Sequence, residues 1–401
     1  MAENKEKKVL NVPNLRFPEF EGEWEEHYLS DYLDFKNGLN PKPERFGKGI
    51  KFISVMDILN NAVITNDCIR ASVDVSEEEL LSFCVENGDI LFQRSSETLE
   101  DVGRANVYMD NKPAVFGGFV IRGKKKAEYD PLFFRYLLAS PFARKKIIPM
   151  GAGAQHFNIG QEGLNKVKLH FALLDEQKKI ARLLSLLDER IAIQNKIIDK
   201  LQSLIKGISN RLLYADNSMS IRIEEMLIER SERTKKNNQY EILSSTVNGI
   251  FSQRDYFSKD IASDNNVGYK IIHLHDIVLS PQNLWMGNIN FNDKFDIGIV
   301  SPSYKVFSIA DGFDKKYVAA LLKTHHALYN YMLVSEQGAS IVRRNLNYEA
   351  FEQLVFKIPS LNKQQEIGHV ISLLKSQLEN ANLLIKTYNS QKQYLFRQMF
   401  I

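Results

Sequence analysis

Residues 167–213 read VKLHFALLDEQKKIARLLSLLDERIAIQNKIIDKLQSLIKGISNRLL, and residues 354–400 read LVFKIPSLNKQQEIGHVISLLKSQLENANLLIKTYNSQKQYLFRQMF. The two stretches lie 187 positions apart. Several matched positions are identical: Gln177 and Gln364, Ile180 and Ile367, Asn195 and Asn382, and Ser185-Leu186-Leu187 and Ser372-Leu373-Leu374. A repeat that ends both halves of a chain predicts two similar modules in a pseudo-two-fold arrangement.

The apolar residues of both copies recur in alternating steps of four and three. This 3.5-residue period is typical of a coiled coil. The predicted coiled-coil interface, called the seam below, consists of Ile180, Leu184, Leu187, Ile191, Ile198, Leu201, Ile367, Ile371, Leu374, Leu378, Ile385 and Leu395. Because a whole module separates the copies, we expect two long helices that pair antiparallel. The alternative is two unrelated amphipathic helices, each packed on its own domain.

Two polar residues interrupt the seam, Gln194 and Lys392. They either set the register of the pair, as buried polar residues do in coiled coils, or lie at the seam edge and reach solvent. Asp175 and Asn362 are the predicted N-caps of the two helices. A helix of about 38 residues is roughly 57 Å long, which exceeds the roughly 34–36 Å of one DNA turn. Such a pair is long enough to hold two reading modules on one face of DNA.

Composition places the chain among globular proteins of two or three domains. Its 401 residues are 44% hydrophobic and 25% charged, with a formal net charge of +3. This charge permits nucleic-acid binding without requiring it. No apolar run is long enough for a membrane helix, and the charged N-terminus does not resemble a secretory signal. We therefore expect a cytoplasmic protein, in which Cys68 and Cys84 are free thiols.

The segments before the two long helices are related more faintly. Gly88-Asp89-Ile90-Leu91 matches His275-Asp276-Ile277-Val278 at the same offset, and short amphipathic helices follow Asp130 and Asp314. Strand-like runs lie between these anchors. We predict an α+β fold with two mixed α/β modules separated by an antiparallel coiled coil. The predicted domains are a first module at 1–174, a spacer helix at 175–214, a second module at 215–360 and a second spacer helix at 361–401.

The chain resembles the specificity subunits of Type I restriction-modification enzymes. The resemblance begins with Pro13-Asn14-Leu15-Arg16-Phe17-Pro18-Glu19-Phe20, Gly22 and Trp24. It continues with Gly88-Asp89-Ile90-Leu91-Phe92 and Arg94, which is similar to the turn and strand of their target recognition domains. The duplicated helices resemble their central and C-terminal conserved regions. In the second module, Ser280-Pro281-Gln282 stands where Phe92-Gln93-Arg94 would be expected, so its DNA contacts do not carry over residue by residue.

The resemblance implies a non-catalytic subunit that selects a DNA site. Each recognition domain would read one half of a bipartite, asymmetric sequence in double-stranded DNA. The helices would set the gap between the halves and dock two modification subunits, which bind S-adenosylmethionine and methylate adenine N6. Two restriction subunits would complete an ATP-dependent endonuclease that uses Mg²⁺. The chain itself is expected to bind no cofactor.

Polar loop residues are the candidate DNA contacts, because Arg and Lys donate to guanine or phosphate and Asn and Gln read adenine. In the first module they lie in a Pro-Gly-rich loop, after a predicted strand and after Gly151-Ala152-Gly153. The candidates there are Lys42, Arg45, Lys48, Gln93, Arg94, Ser95, Arg104, Gln155, His156 and Asn158. The candidates in the second module are Gln282, Asn283, Trp285, Arg343, Arg344 and Asn345.

Other classes of function find less support in the residues. No adenine-methylation motif, glycine-rich cofactor fingerprint or Gly-Lys-Ser/Thr phosphate loop occurs. His273 with His275, and His325 with His326, lack partners at zinc-ligand spacing, so no metal site is expected. A self-sufficient endonuclease would need a clustered acidic site, which we do not find. The remaining alternative is a coiled-coil scaffold or adaptor without DNA specificity.

Overall fold

The structure, a computed structural model, describes residues 10–213, 219–256, 265–337 and 343–401. The predicted boundary between residues 214 and 215 therefore lies outside the described residues. The chain divides into two units, each of which contains part of both long helices. The first unit is Met1–Asn195 with Leu383–Ile401, and the second is Lys196–Asn382.

Short strands and helices alternate up to the end of the first long helix. The strands are β1 (Glu25–Tyr28), β2 (Leu33–Asn37), β3 (Phe46–Ile53), β4 (Ser72–Val73), β5 (Ile90–Gln93), β6 (Ser95–Ser96), β7 (Ala105–Val107), β8 (Ala114–Phe116), β9 (Val120–Lys125), β10 (Phe157–Asn158) and β11 (Lys168–Phe171). The helices are α1 (Leu29–Tyr32), α2 (Val55–Asn60), α3 (Glu77–Phe83), α4 (Pro131–Ala139), α5 (Pro141–Ile147), α6 (Gln161–Asn165) and α7 (Leu174–Leu213).

The rest of the chain follows a similar order. Its strands are β12 (Met219–Arg222), β13 (Leu227–Glu229), β14 (Leu243–Thr246), β15 (Gly249–Ser252), β16 (Lys270–His273), β17 (Ile277–Leu279), β18 (Ile289–Phe291), β19 (Ile297–Val300), β20 (Lys305–Ile309), β21 (Ser335–Gln337), β22 (Arg344–Leu346) and β23 (Val355–Ile358). Its helices are α8 (Ile223–Met226), α9 (Gln253–Tyr256), α10 (Lys315–Leu321), α11 (His325–Leu333), α12 (Tyr348–Glu352) and α13 (Leu361–Gln398). None of the described helices is long and apolar enough to cross a membrane.

Each unit is built around a four-stranded antiparallel sheet. The strand order is β2-β9-β5-β7 in the first unit and β13-β20-β17-β18 in the second. A separate two-stranded ribbon leads into each long helix, β1 with β11 and β12 with β23. The predicted α+β class, with two largely antiparallel modules, is confirmed. Cys68 and Cys84 are both free thiols, as expected.

In the first unit, the beginning of α7 packs against the end of α13. Leu184 and Leu187 are buried in one apolar core with Leu395, Met399 and the aromatic residues of α4. The outer, polar side of this contact holds Asp188, which binds Lys392 of α13. In the second unit, the later part of α7 and the beginning of α13 line one cleft, with Ile205 on one side and Ile371 on the other. The helices therefore run antiparallel, as predicted.

The predicted seam residues are all buried or half-buried. Ile180, Leu184, Leu187, Ile198, Ile367, Ile371 and Leu395 are buried, whereas Ile191, Leu201, Leu374, Leu378 and Ile385 are partly exposed. Gln194 is buried too, and so lies within the seam rather than at its edge. Lys392 donates to Asp188, which also accepts the Tyr136 hydroxyl at 2.9 Å. The helices begin at Leu174 and Leu361, so their N-caps are Leu173 and Ser360. The predicted N-caps Asp175 and Asn362 are wrong by two residues and lie in the first turns.

The N-terminal segment is attached to the first long helix by one buried carboxylate. Both oxygens of Glu176 accept hydrogen bonds from the Arg16 guanidinium, each at 2.8 Å. The Trp24 indole N–H donates to the same carboxylate at 3.2 Å. The hydrogen bonds to Glu176 raise the pKa of Arg16. The motif from Pro13 to Trp24 is thus attached to α7 through Arg16 and Trp24.

A buried glutamine joins each long helix to its module. The side chain of Gln177 accepts the backbone N–H of Asp130 at 3.0 Å and donates to the backbone carbonyl of Ala172 at 2.8 Å. Gln364 makes the same two bonds, to the N–H of Asp314 at 3.1 Å and the carbonyl of Pro359 at 2.9 Å. Asp130 and Asp314 in turn cap α4 and α10. The duplicated glutamine therefore ties three segments together in each unit.

A left-handed turn precedes the central strand of each sheet. Gly88 has φ +95° before β5, and His275 has φ +74° at the matched position before β17. The next residue closes each turn, since Asp89 accepts the N–H of Glu86 at 3.0 Å and Asp276 that of His273 at 2.8 Å. The imidazole of His275 stacks on Phe291, with ring centroids 5.6 Å apart. Glycine adopts this conformation without strain, whereas His275 holds it through its packing.

We expect Gln177→Leu to destabilise the first unit. The substitution keeps the side-chain volume but leaves the N–H of Asp130 and the carbonyl of Ala172 buried without partners. Each unsatisfied group costs about 1–3 kcal/mol. Urea denaturation measures the change, with Gln377→Leu at an exposed position of α13 as the control. Equal stability of the two variants would show that the two hydrogen bonds of Gln177 contribute nothing to the free energy of unfolding.

We expect Gly88→Ala to cost about 1–2 kcal/mol, because a left-handed conformation strains any residue with a Cβ. The new Cβ would also lie 3.3 Å from Pro131. Gly160→Ala is the matched control, since Gly160 has φ −105° and open space around it. The two free energies of unfolding are compared by urea titration, and a control as unstable as Gly88→Ala would refute the account of the turn.

Candidate nucleic-acid interface

The loop after β5 brings several predicted contacts of the first module together. Ser95 and Ser96 form β6, which pairs with Phe157 and Asn158 of β10. The Ser95 hydroxyl donates to the side-chain oxygen of Asn158. The backbone carbonyl of Arg94 accepts the N–H of Ile159 at 2.9 Å. The loop after β5 and the segment at β10 thus form one surface, although Ser95 and Asn158 are 63 positions apart in the sequence.

Gln93 lies beneath this surface rather than on it. Its side chain is 5% exposed and its amide donates to the carbonyl of Ser95 at 2.9 Å. The structure therefore places the side chain of Gln93 under the loop that it supports, and its contact with DNA stays a prediction. Arg94 is half-buried, and its guanidinium donates to the carbonyl of Gly118 at 3.3 Å. Gln155, His156 and Asn158 are exposed next to this surface.

The basic residues of the Pro-Gly-rich loop differ in what they can offer a phosphate. Lys42 is exposed, and Lys48 is exposed with a salt bridge to Asp74 at 3.1 Å. Arg45 is bound through both guanidinium arms to Glu79, and it lowers the pKa of that carboxyl to about 2. The prediction that Arg45 holds a phosphate is not supported, because its donors are used inside the module. Arg104 is exposed and pairs with Asp101 at 2.6 Å.

The second module has its predicted residues at the same place after the central strand. The matched turns align Ser95 with Gln282, so the sequence alignment of Ser280-Pro281-Gln282 with Phe92-Gln93-Arg94 is wrong by one position. The side chain of Gln282 is exposed, and its backbone carbonyl accepts the backbone N–H of Arg344 at 3.1 Å. Arg344 begins β22, which pairs with β21. Two distant loops again form one surface.

Three of the predicted residues in the second module are packed against other groups rather than fully exposed. The guanidinium of Arg344 lies 4.5 Å from the ring centroid of Trp285 and donates to the carbonyl of Met332 at 3.5 Å. The side-chain oxygen of Asn283 is buried. Arg343 and Asn345, on either side of Arg344, are exposed. The side chains available to a partner here are therefore Gln282, Arg343 and Asn345.

The sequence analysis missed one residue of the first surface. Phe119 is 68% exposed at a turn between β8 and β9, and its carbonyl accepts the N–H of Arg94 at 2.9 Å. A bare aromatic ring beside polar loops is suited to contact with a base or sugar. The sequence feature that could have indicated Phe119 is Gly117-Gly118-Phe119, in which an aromatic residue directly follows two glycines.

The histidine pairs have roles within the fold. His273 approaches Glu232 at 2.8 Å, and His275 stacks on Phe291. Within the described ranges, no group of three or more His, Cys, Asp or Glu side chains is placed to hold a metal ion. The arrangement around both loops therefore offers hydrogen-bond donors, acceptors and positive charge.

The known sequences to which this chain is similar are described as specificity domains or subunits of Type I restriction enzymes. Residues 21–203 match the family model for the Type I restriction modification DNA specificity domain. The chain is 27% identical over 210 residues to a protein of Methanocaldococcus jannaschii described as the MjaX specificity subunit of a type I restriction enzyme, covering 51% of this chain and 49% of that one. It is 24% identical over 188 residues to the EcoKI specificity subunit of Escherichia coli K12, covering 46% and 39%. In each match the chain spans half or less of the relative's length.

Solved structures share the fold over almost the whole chain. The S subunit of a Type I restriction-modification system from M. genitalium has a TM-score of 0.61 at 14% identity, covering 97% of this chain and 99% of that one. A chain in a structure of a type I R-M system has a TM-score of 0.52 at 11% identity, covering 94% and 97%. Together with the domain match, these findings confirm the resemblance: residues 21–203 match the Type I restriction modification DNA specificity domain, and the chain shares the fold of solved S subunits.

Proposed function

We propose that this chain is the sequence-specific DNA-binding subunit of a Type I restriction-modification system. Each unit would read one half of a bipartite, asymmetric site. The observation that carries the proposal is one scaffold used twice with different loop residues. Both units repeat the hydrogen bonds of Gln177 and Gln364 and the turns closed by Asp89 and Asp276. The side chains on the surfaces after β5 and β17 differ.

The exposed loop residues suit this role. The exposed Gln155 and Asn158 and the half-buried Ser95 in the first unit, and Gln282 and Asn345 in the second, can donate and accept at base edges. Arg343 in the second unit can donate. A good bidentate contact is worth about 1–3 kcal/mol of discrimination between bases. Lys42, Lys48 and Arg104 are better suited to phosphates, which position a protein without reading sequence. Because the two sets differ in chemistry, the two half-sites should differ in sequence.

The chain would not catalyse a reaction itself. We propose that S-adenosylmethionine, ATP and Mg²⁺ are bound by partner subunits, and that the assembled complex methylates adenine N6 and cleaves DNA with restriction subunits present. A DNA-reading role places the protein in the cytoplasm with its substrate. A scaffold or adaptor without DNA specificity is the rival, and it predicts equal binding to all duplex sequences.

Exchange of one recognition module should change one half of the methylated site. We expect a chimera in which residues 1–174 come from a relative to keep the half-site read by the second unit, because that unit has its own core and loops. Sequencing of methylated adenines in cells that carry the chimera and its modification subunits gives the site. A matched chimera with residues 219–358 exchanged should change the other half. Simultaneous change of both halves in either chimera would contradict independent reading.

The outer faces of the long helices are candidate docking surfaces for the modification subunits. Large apolar residues are exposed there in each unit, at positions that point away from the seam. The outer patch of the first unit is Leu186, Ile193 and Leu384, and that of the second is Ile197, Leu204 and Leu373. Leu186 matches Leu373 and Ile197 matches Leu384 in the repeat. Exposed apolar positions on a helix indicate protein contacts, and one patch in each unit supports two modification subunits.

We expect Ile193→Asp to weaken binding of the modification subunit at least tenfold, which corresponds to about 1.4 kcal/mol. Ile193 is 57% exposed, so the fold should not change. Ala192→Asp, at an exposed position on another face of α7, is the control. Affinity is measured by sedimentation with purified modification subunit. Unimpaired assembly of the Ile193 variant would remove this patch from the interface while leaving DNA reading untouched.

A further inference from the structure

A cleft in the second unit combines apolar walls with positive charge. It lies where α10 and α11 meet α7 and α13, and its volume is 360 Å³. Ile371, Leu378 and Leu328 provide apolar walls, and Lys206, Lys323 and Lys375 contribute the charge. We call it the lysine cleft. None of its lining residues in the described part of the chain is acidic.

The three ammonium groups lack a matching anion. Lys323 donates to the backbone carbonyls of Val247 at 3.2 Å and Gly287 at 3.1 Å. Burial and the neighbouring Lys375 lower the pKa of Lys323 to about 8. Asp293 and Glu379 attract Lys375, but neither lies within the 4 Å of an ion pair. For Lys206, the described residues provide no ion pair.

The same junction in the first unit contains its own anion. Asp188 stands at the repeat position of Lys375, and it binds Lys392, the Tyr136 hydroxyl at 2.9 Å and Arg135 at 3.4 Å. Tyr136 and Phe396 pack edge to face there, with ring centroids 6.0 Å apart.

The second unit has small residues where these rings would be. Ala320 matches Tyr136 and Ser209 matches Phe396. The first unit therefore supplies a carboxylate and two aromatic rings from its own chain, whereas the second has a lysine and two small residues at the matched positions.

We propose that the lysine cleft binds a segment of a partner protein that presents an aromatic side chain next to a carboxylate. The ring covers Ile371, Leu328 and Leu378, and the carboxylate pairs with Lys375 and Lys206. A DNA phosphate would leave the apolar walls uncovered, so a protein segment fits the lining better. The inference does not depend on DNA reading, because its test requires neither DNA recognition nor a modification subunit.

The test uses the full chain and two fluorescent peptides, acetyl-Ser-Glu-Phe-Leu-Ser-amide and the same peptide with Gln in place of Glu. Fluorescence anisotropy should show at least tenfold tighter binding of the acidic peptide. Lys375→Met and Lys206→Met, which keep apolar stems, should each reduce this preference to less than threefold. Lys386→Met, at an exposed position elsewhere on α13, should leave it unchanged.

Three outcomes would overturn the proposal. The first is equal affinity for the two peptides, and the second is a Lys375→Met variant with an unchanged preference. In the third, a 12-base-pair duplex or free 4-phenylbutanoate displaces the labelled acidic peptide. The concentration needed is no higher than the concentration of unlabelled acidic peptide that gives the same displacement. The duplex result would indicate a phosphate site, and the phenylbutanoate result a site for small acids.

Discussion

The attachment of each long helix to its module depends on one buried amide side chain. Gln177 and Gln364 each satisfy an N–H at the cap of a module helix and a carbonyl at the end of the preceding ribbon. A buried backbone group without a partner is costly, so only one orientation of helix and module satisfies all the groups. The two glutamines therefore fix the start of each long helix against the first helix of its α-helical pair, α4 or α10.

The same scaffold tolerates different chemistry at positions away from the joint. The turn before the central strand keeps its left-handed residue and its aspartate, but glycine in one unit is histidine in the other. Burial raises the pKa of Asp89, which the backbone N–H groups of Glu86 and Lys125 oppose. The loops beyond β5 and β17 retain only their backbone pairing. The two units therefore share backbone contacts beneath side chains that differ.

Charge also differs between the matched helix junctions. In the first unit, Asp188 neutralises cations from α4 and α13. In the second unit, Lys375 occupies that position and adds charge to Lys206 and Lys323. The duplication therefore preserved packing more strictly than electrostatics. Two similar units can in this way present unlike surfaces to other proteins.

The sequence by itself determined the repeat, the pairing of the helices and the class of fold, because a 3.5-residue apolar period allows few solutions. It also selected polar residues that the structure brings together, since Ser95 pairs with Asn158 and Gln282 with Arg344. Only the tertiary structure decided which of them are exposed. Gln93 is covered and its amide donates to the carbonyl of Ser95, whereas Arg45 donates to Glu79, a carboxylate 34 positions later in the sequence. Phe119 is exposed at the turn between β8 and β9. Side-chain partners across sheets depend on three-dimensional neighbours, which periodicity does not specify.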